Sequence, residues 1–342
     1  MRKLISFIKY LLFFGVGILL FWLVYRNIDR KALVEGLRNA NYYWVALALL
    51  MAVLSHIVRG RRWALLISSM GTKVSTWHTT LAVFISYLAN LALPRMGEIS
   101  KCVAVNRTDK IPLNKLIGTV IVERGLDFLM LLFICFVAFT LEFNKVKGYM
   151  ASSIEYLHNK YGNMFSFTTL LLIALILVVI VVLLVLVKKS KRSFKQHPFY
   201  LKTREIVSGF WHGIKTIAHL DRKWEFIFHT FFLWILYFLM SYIMLFAFDR
   251  TAGLSILAGL TVLAIGSIGF LMPVQGGIGT YHYAVEKALG IYGIDKADAA
   301  VYALISHSSQ TLLIIIGGAV SFLIIGFIQR KSNHENLPGD KA

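Results

Sequence analysis

Long apolar runs dominate the chain. Residues 6–25, 42–58, 165–187, 224–248 and 309–328 each carry a near-continuous hydrophobic stretch, close to the ~17–25 residues that span a bilayer as a helix. A further run at 116–143 is apolar apart from its first turns. The pattern predicts an all-α polytopic membrane protein with about six full spans. It is interrupted twice by a Pro-x-x-Gly break, at Leu93-Pro94-Arg95-Met96-Gly97-Glu98 and at Met272-Pro273-Val274-Gln275-Gly276-Gly277-Ile278-Gly279-Thr280. Hydrocarbon leaves unpaired backbone groups no partner, so irregular backbone survives there only inside protein or beside water. Corresponding breaks in two halves of a chain point to a transporter's binding site.

Charge fixes the expected topology. Basic loops stay cytoplasmic, which places Arg59, Arg61, Arg62 and Lys73 inside, together with the strongly basic segment 188–223. Both land on one side only if 76–93 and 95–106 form a re-entrant or broken pair that enters and leaves on the same face. Segments 253–272 and 276–290 need the same repair from the outer face for Arg330 and Lys331 to end inside. Both termini are then cytoplasmic, in the cell inner or plasma membrane. Two re-entrant pairs of opposite sense make an inverted repeat within one integral membrane domain, residues 1–342, with units 1–160 and 161–330 and a polar tail at 331–342. Pro94 and Pro273 lie 179 positions apart, and Val122–Asp127 and Ser306–Thr311 match at an offset of 184 (122 to 306). Within 201–220, Val207, Phe210, Trp211, Ile214 and Ile217 recur on one helical face. That suits an amphipathic helix on the inner leaflet, and a packed connector fits equally.

The formal charge of +19 and 58% apolar composition do not describe a nucleic-acid binder, because the basic residues flank spans and no nucleic-acid signature accompanies them. The stretch 11–24 behind Arg2, Lys3 and Lys9 lacks a small-x-small site after it and reads as a retained anchor. Cys102 and Cys135 have neither disulfide nor metal spacing, and no cofactor motif is present. Gly266-Ser267-Ile268-Gly269 misplaces Ser for a nucleophile elbow and reads as helix packing. Trp44, Trp63, Trp77 and Trp224 stand near expected span ends, as interface anchors do.

Ionisable groups inside spans are costly and mark candidate function. Glu123 and Asp127 share a helix face at i, i+4. Arg124 lies beside them and can turn to Glu98 or Glu123, and Arg95 and Glu98 come from the first break. A closed salt-bridge network fits the same residues. The second break offers Gly276, Gly277, Gly279 and Thr280 at a helix start, where free N–H groups favour an anion; a tight turn alone also needs such glycines. His282 is placed to meet His307 or Gln310, as a ligand or as a structural histidine. Pro94, Gly97 and Pro273 are the helix-breaking residues.

The run Pro94-Arg95-Met96-Gly97-Glu98-Ile99-Ser100-Lys101 resembles a motif of the lysylphosphatidylglycerol synthase transmembrane family. Glu123-Arg124-x-x-Asp127 and Pro273-x-x-Gly276-Gly277-Ile278-Gly279 resemble that family's further motifs, in the same order, over roughly residues 6–330. The resemblance implies a flippase-like protein that translocates an aminoacylated phospholipid between leaflets. Tyr281-His282 stand where members often carry an acid. The sequence shows no soluble aminoacyl-transferase domain, so a stand-alone member is expected. Its expected partners are membrane lipids: an anionic or aminoacylated phospholipid, or a polyprenyl-linked lipid. A homo-oligomer or a separate lipid-modifying enzyme is the expected protein partner. In the leading reading Arg95 and the 276–280 amides hold phosphate, while Glu98, Glu123 and Asp127 take a cationic head group or protons. A membrane-embedded transferase or accessory subunit with Glu98 or Asp127 as base is the alternative, and an inert scaffold is the third class.

Overall fold

A computed structural model describes residues 2–26, 28–93, 96–156, 158–159 and 220–335. Pro94, Arg95, the apolar run 165–187, residues 201–219 of the amphipathic stretch and the tail from 336 lie outside the described residues. Helices in order are α1 (Arg2–Tyr25), α2 (Arg30–Asn39), α3 (Tyr42–Ser68), α4 (Thr76–Ala92), α5 (Gly97–Asp109), α6 (Leu113–Leu141), α7 (Phe143–Tyr156), α8 (Lys223–Leu245), α9 (Asp249–Ala252), α10 (Ile256–Leu271), α11 (Thr280–Gly290) and α12 (Lys296–Glu335). The chain divides into one unit of Met1–Glu142 with Thr216–Ala342 and a second of Phe143–Lys215, which holds α7; the hairpins and the site described below belong to the first.

Polar caps set the starts. Asn41 accepts the Tyr43 N–H at 3.1 Å to open α3, and Ser75 accepts that of Trp77 at 3.2 Å to open α4. Several ends differ from expectation. The second apolar run ends not at 58 but at Ser68, because Trp63-Ala64-Leu65-Leu66-Ile67 resumes the buried helix. Arg59, Arg61 and Arg62 are therefore helical, not loop. The last span does not start at 309: Asp295 accepts the N–H groups of Ala297 at 2.8 Å and Asp298 at 3.0 Å, so α12 begins at Lys296 and residues 306–311 fall several turns inside it. Likewise α6 begins after Pro112, which puts Glu123 and Asp127 in its interior rather than at its start.

Helices α3, α8 and α12 are long and apolar enough to cross a membrane. A fourth span is counted if α6 and α7 are taken together. At about 1.5 Å per residue, the 27 residues of α3 reach about 40 Å, beyond the ~30 Å hydrocarbon core. The limbs beside the breaks are shorter: 17 and 13 residues in α4 and α5, 16 and 11 in α10 and α11. Three of the four fall below the span range and α4 sits at its lower end.

Each short pair folds back on itself. At the base of the first hairpin His78 on α4 meets Asp109 at the end of α5, with Nδ1 3.0 Å from its carboxylate oxygens. At the base of the second, the hydroxyls of Thr261 on α10 and Tyr292 just past α11 are 2.8 Å apart. Helices α3 and α8 run antiparallel against each other: the Asn41 N–H donates to Ala247 O at 2.8 Å at one end, and Arg61 pairs with Glu225 at 2.7 Å at the other. Thr76 at the first hairpin's base accepts from Arg61, whereas α10 begins against the far end of α8, with Gly259 on Tyr242. The hairpins thus enter from opposite ends of the α3–α8 pair. Their breaks meet: a Cβ at Gly276 would lie 2.6 Å from Leu91 Cδ2 at the end of α4. One apolar core, with Val45, Ala48, Met244 and Tyr302, packs one end of the pair; another, with Trp63, Leu66, Phe226 and Ile325, packs the other. Trp63 is consequently fully buried, donating to Thr119 at 2.9 Å, and is not an interface anchor.

Candidate functional site: a buried ionic cluster

The i, i+4 spacing of Glu123 and Asp127 aims both carboxylates from α6 at α3. The i, i+3 spacing of Arg59 and Arg62 answers them. Arg59 Nη1 donates to Glu123 Oε1 at 2.8 Å and Asp127 Oδ2 at 2.9 Å, while its Nε and Nη2 donate to the Tyr237 hydroxyl on α8 at 3.2 and 2.8 Å. Arg62 Nη2 donates to Asp127 Oδ1 at 2.6 Å. Lys101, on α5, reaches Glu123 Oε2 at 2.5 Å with its ammonium 4.4 Å from the Trp63 ring centroid. Arg124 turns to Glu123 at 2.9 Å and Asp127 at 3.3 Å, as one expected option had it, and its side chain is 44% exposed. Four cations thus surround two carboxylates. Glu123 and Arg62 are fully buried, at 0% exposure, a placement that is costly unless every charge finds a partner.

Glu98 on α5 is half-buried and forms no ion pair with the cluster among the described residues; its Oε2 is buried without a hydrogen-bond partner there. Gly97, at the start of α5, donates its N–H to Asn90 Oδ1 at 2.8 Å, which ties the limbs together beside the break.

The second break is a tight turn. Gly276, Gly277 and Gly279 have φ of 58°, 74° and 79°, left-handed values that glycine adopts freely. The amides of Gly277, Ile278 and Gly279 are already used: they donate to Val274 O, Gln275 O and His282 Nδ1. The glycines therefore lie ahead of α11, with Gly279 as its cap and Thr280, whose hydroxyl donates to Gly277 O at 3.2 Å, as its first residue. His282 does meet His307, with ring centroids 4.7 Å apart, and His307 Nε2 donates to Gly276 O at 2.7 Å. Gln310 is half-buried one turn further along α12. Pro273 stands between α10 and the 3-10 turn Gln275–Gly277.

Sequence reasoning missed Arg59, Arg62, Lys101 and Tyr237. The signal for the arginines was their i, i+3 spacing in front of a resumed apolar run; Tyr237 left none.

Long apolar helices, with no strand among the described residues and buried ion pairs between them, make this a polytopic membrane protein. The chain belongs to the lysylphosphatidylglycerol synthase TM region family, which it matches over residues 7–318. It is similar to the UPF0104 membrane protein MJ1595 of Methanocaldococcus jannaschii, at 25% identity over 320 residues that cover 89% of this chain and 90% of that protein. No solved structure matches it.

Proposed function

We propose that the protein translocates a lipid head group between leaflets, with both hairpins re-entrant and related as an inverted repeat. The carrying observation is that two hairpins, with limbs of 17 residues or fewer, enter from opposite ends of the α3–α8 pair and bring their breaks together at Leu91 and Gly276. The packing supports the repeat. α3 lies on α4 as α8 lies on α10; α6 lies on α10 as α12 lies on α4; α5 lies on α6 as α11 lies on α12. Arg59 and Tyr237, near the middle of the two equivalent helices, touch each other, as residues beside a two-fold axis do. Offset by 184 (123 to 307), Glu123 corresponds to His307, and each ties its helix to the neighbouring hairpin.

The first hairpin's end of the molecule carries Arg61, Lys73, Arg107, Lys110, Arg222 and Lys223, a concentration that supports a cytoplasmic position. On this reading both termini are cytoplasmic. Rocking one repeat against the other, across the Arg59–Tyr237 contact, alternates access to the charges that the first repeat carries. The cargo is an anionic or aminoacylated phospholipid or a polyprenyl-linked lipid, and Glu98 is offered to its cationic part or to a proton.

Protein reconstituted into liposomes is expected to speed transbilayer movement of at least one of labelled phosphatidylglycerol, lysylphosphatidylglycerol and polyprenyl phosphate above protein-free vesicles. Equal rates for all three contradict the reading. The Oε2 of Glu98, buried without a hydrogen-bond partner among the described residues, favours a second reading, a membrane-embedded transferase with Glu98 as base. Turnover that persists in detergent without a bilayer selects it.

A further inference from the structure

His282 and His307 hold the second break through opposite chemistry. Nδ1 of His282 accepts the Gly279 N–H at 3.2 Å, so that nitrogen carries no hydrogen. Nε2 of His307 donates to Gly276 O at 2.7 Å, so that nitrogen must carry one. A second proton leaves the His307 bond intact, because its Nδ1 faces the Thr311 hydroxyl at 3.4 Å, which can turn to accept. A second proton on His282 turns its acceptor into a donor and sets N–H against N–H. The closed break therefore requires a neutral His282 and tolerates either form of His307.

The surroundings favour that neutral form. His282 is 1% exposed and ringed by Phe21, Tyr25, Tyr281 and His307, at centroid distances of 5.2, 5.8, 6.1 and 4.7 Å. Its Nε2, which holds the hydrogen of the neutral ring, has no hydrogen-bond partner among the described residues. The titratable groups on the elements packed round it are Tyr25 of α1, Tyr281, Glu286 and Lys287 of α11 itself, and His307 of α12; α10 adds the Phe270 ring. The Tyr25 hydroxyl donates to Ala300 O at 3.0 Å. Glu286, one turn along the same face of α11, is buried, with Lys287 Nζ 3.1 Å from its Oε1. A charge on His282 is thus uncompensated while the break stays closed.

We propose that His282 is a proton-operated latch on the second break. A proton from solvent, taken up at Nδ1, releases Gly279 and with it the seat of α1, whose Gly17 carbonyl oxygen packs against that glycine. Uptake and opening are one linked equilibrium, so acid favours the open break. Once loosened, the imidazolium has Glu286 on its own helix face to turn to. The latch goes beyond the translocase reading, to which it supplies a proton-dependent step at the second hairpin, and it needs the break alone.

The test is deuterium exchange at the Gly279 amide in detergent micelles, corrected for the direct effect of pH on free amides. Between about pH 8 and about pH 5, which brackets the ordinary range of histidine, wild-type protection is expected to fall by up to about tenfold per pH unit, the slope of one proton. The Asn41 amide, bonded to Ala247 O rather than to a titrating side chain, stays level. His282→Gln stands at the third helical position, where glutamine reaches back to the cap N–H and takes no proton, so its Gly279 amide stays protected throughout. His307→Gln keeps a donor for Gly276 O and keeps the pH response. Four results overturn the latch: a level wild-type Gly279 amide, an equal fall at Asn41, a fall that survives in His282→Gln, or one that His307→Gln abolishes. Should His282→Gln not fold, the wild-type contrast between Gly279 and Asn41 decides. A responding latch with no lipid movement in liposomes sinks only translocation, and lipid movement with a level Gly279 amide sinks only the latch.

Discussion

Glu123 holds three helices at one point, because α3, α5 and α6 each contribute a charge to it. Removing one partner of a buried pair strands the others, at a cost of about 3–5 kcal/mol; an exposed pair is worth about 0–1 kcal/mol. Glu123→Gln is therefore expected to lower unfolding stability in detergent by the larger amount and Arg124→Ala by under about 1 kcal/mol. Chemical unfolding of both variants checks the contrast, and equal losses contradict it. The carboxylates were legible in the sequence as an i, i+4 pair inside an apolar run. Their arginines were not, because Arg59-Gly60-Arg61-Arg62 has the look of a cytoplasmic loop. Only burial against α6 turns that basic stretch into helix.

At the scale of elements, the breaks were plain from proline and glycine placement, whereas helix ends were not. Hydropathy stops at a polar residue, but a helix continues through one that finds a partner, as α3 does through Arg62 and α12 does through His307. The glycines of the second break act as turn formers, and each also admits a neighbour: Leu91 at Gly276, Phe270 at Gly277 and the backbone of α1 at Gly279. A Cβ on Gly279 would run into the Gly17 carbonyl oxygen of α1, whereas Gly71, with nearly the same φ of 75°, has open space around it. Alanine in the left-handed region costs about 1–2 kcal/mol, and overpacking adds about 1–3 kcal/mol. Gly71→Ala should show the first cost alone and Gly279→Ala both, in parallel unfolding measurements. Indistinguishable variants would mean that α1 does not bear on the break.

At the scale of the whole molecule, counting charges along the chain already required an even number of passages at each break. The two fold-backs, closed by His78–Asp109 and Thr261–Tyr292, have the form such a passage takes. Charge counting also called for hairpins of opposite sense; what left no trace in the sequence is the antiparallel α3–α8 pairing, with contacts such as Arg59–Tyr237, from whose two ends they enter. The claim on which the functional account depends is that opposite entry also means opposite faces of the membrane. Single cysteines at Lys73 and Ser255, both exposed beside the two hairpin bases, test it in a background with Cys102 and Cys135 replaced. In sealed, oriented vesicles treated with a membrane-impermeant maleimide, one position should react at once and the other only after permeabilisation. If both label from the same side, the hairpins share a face and the inverted arrangement is wrong.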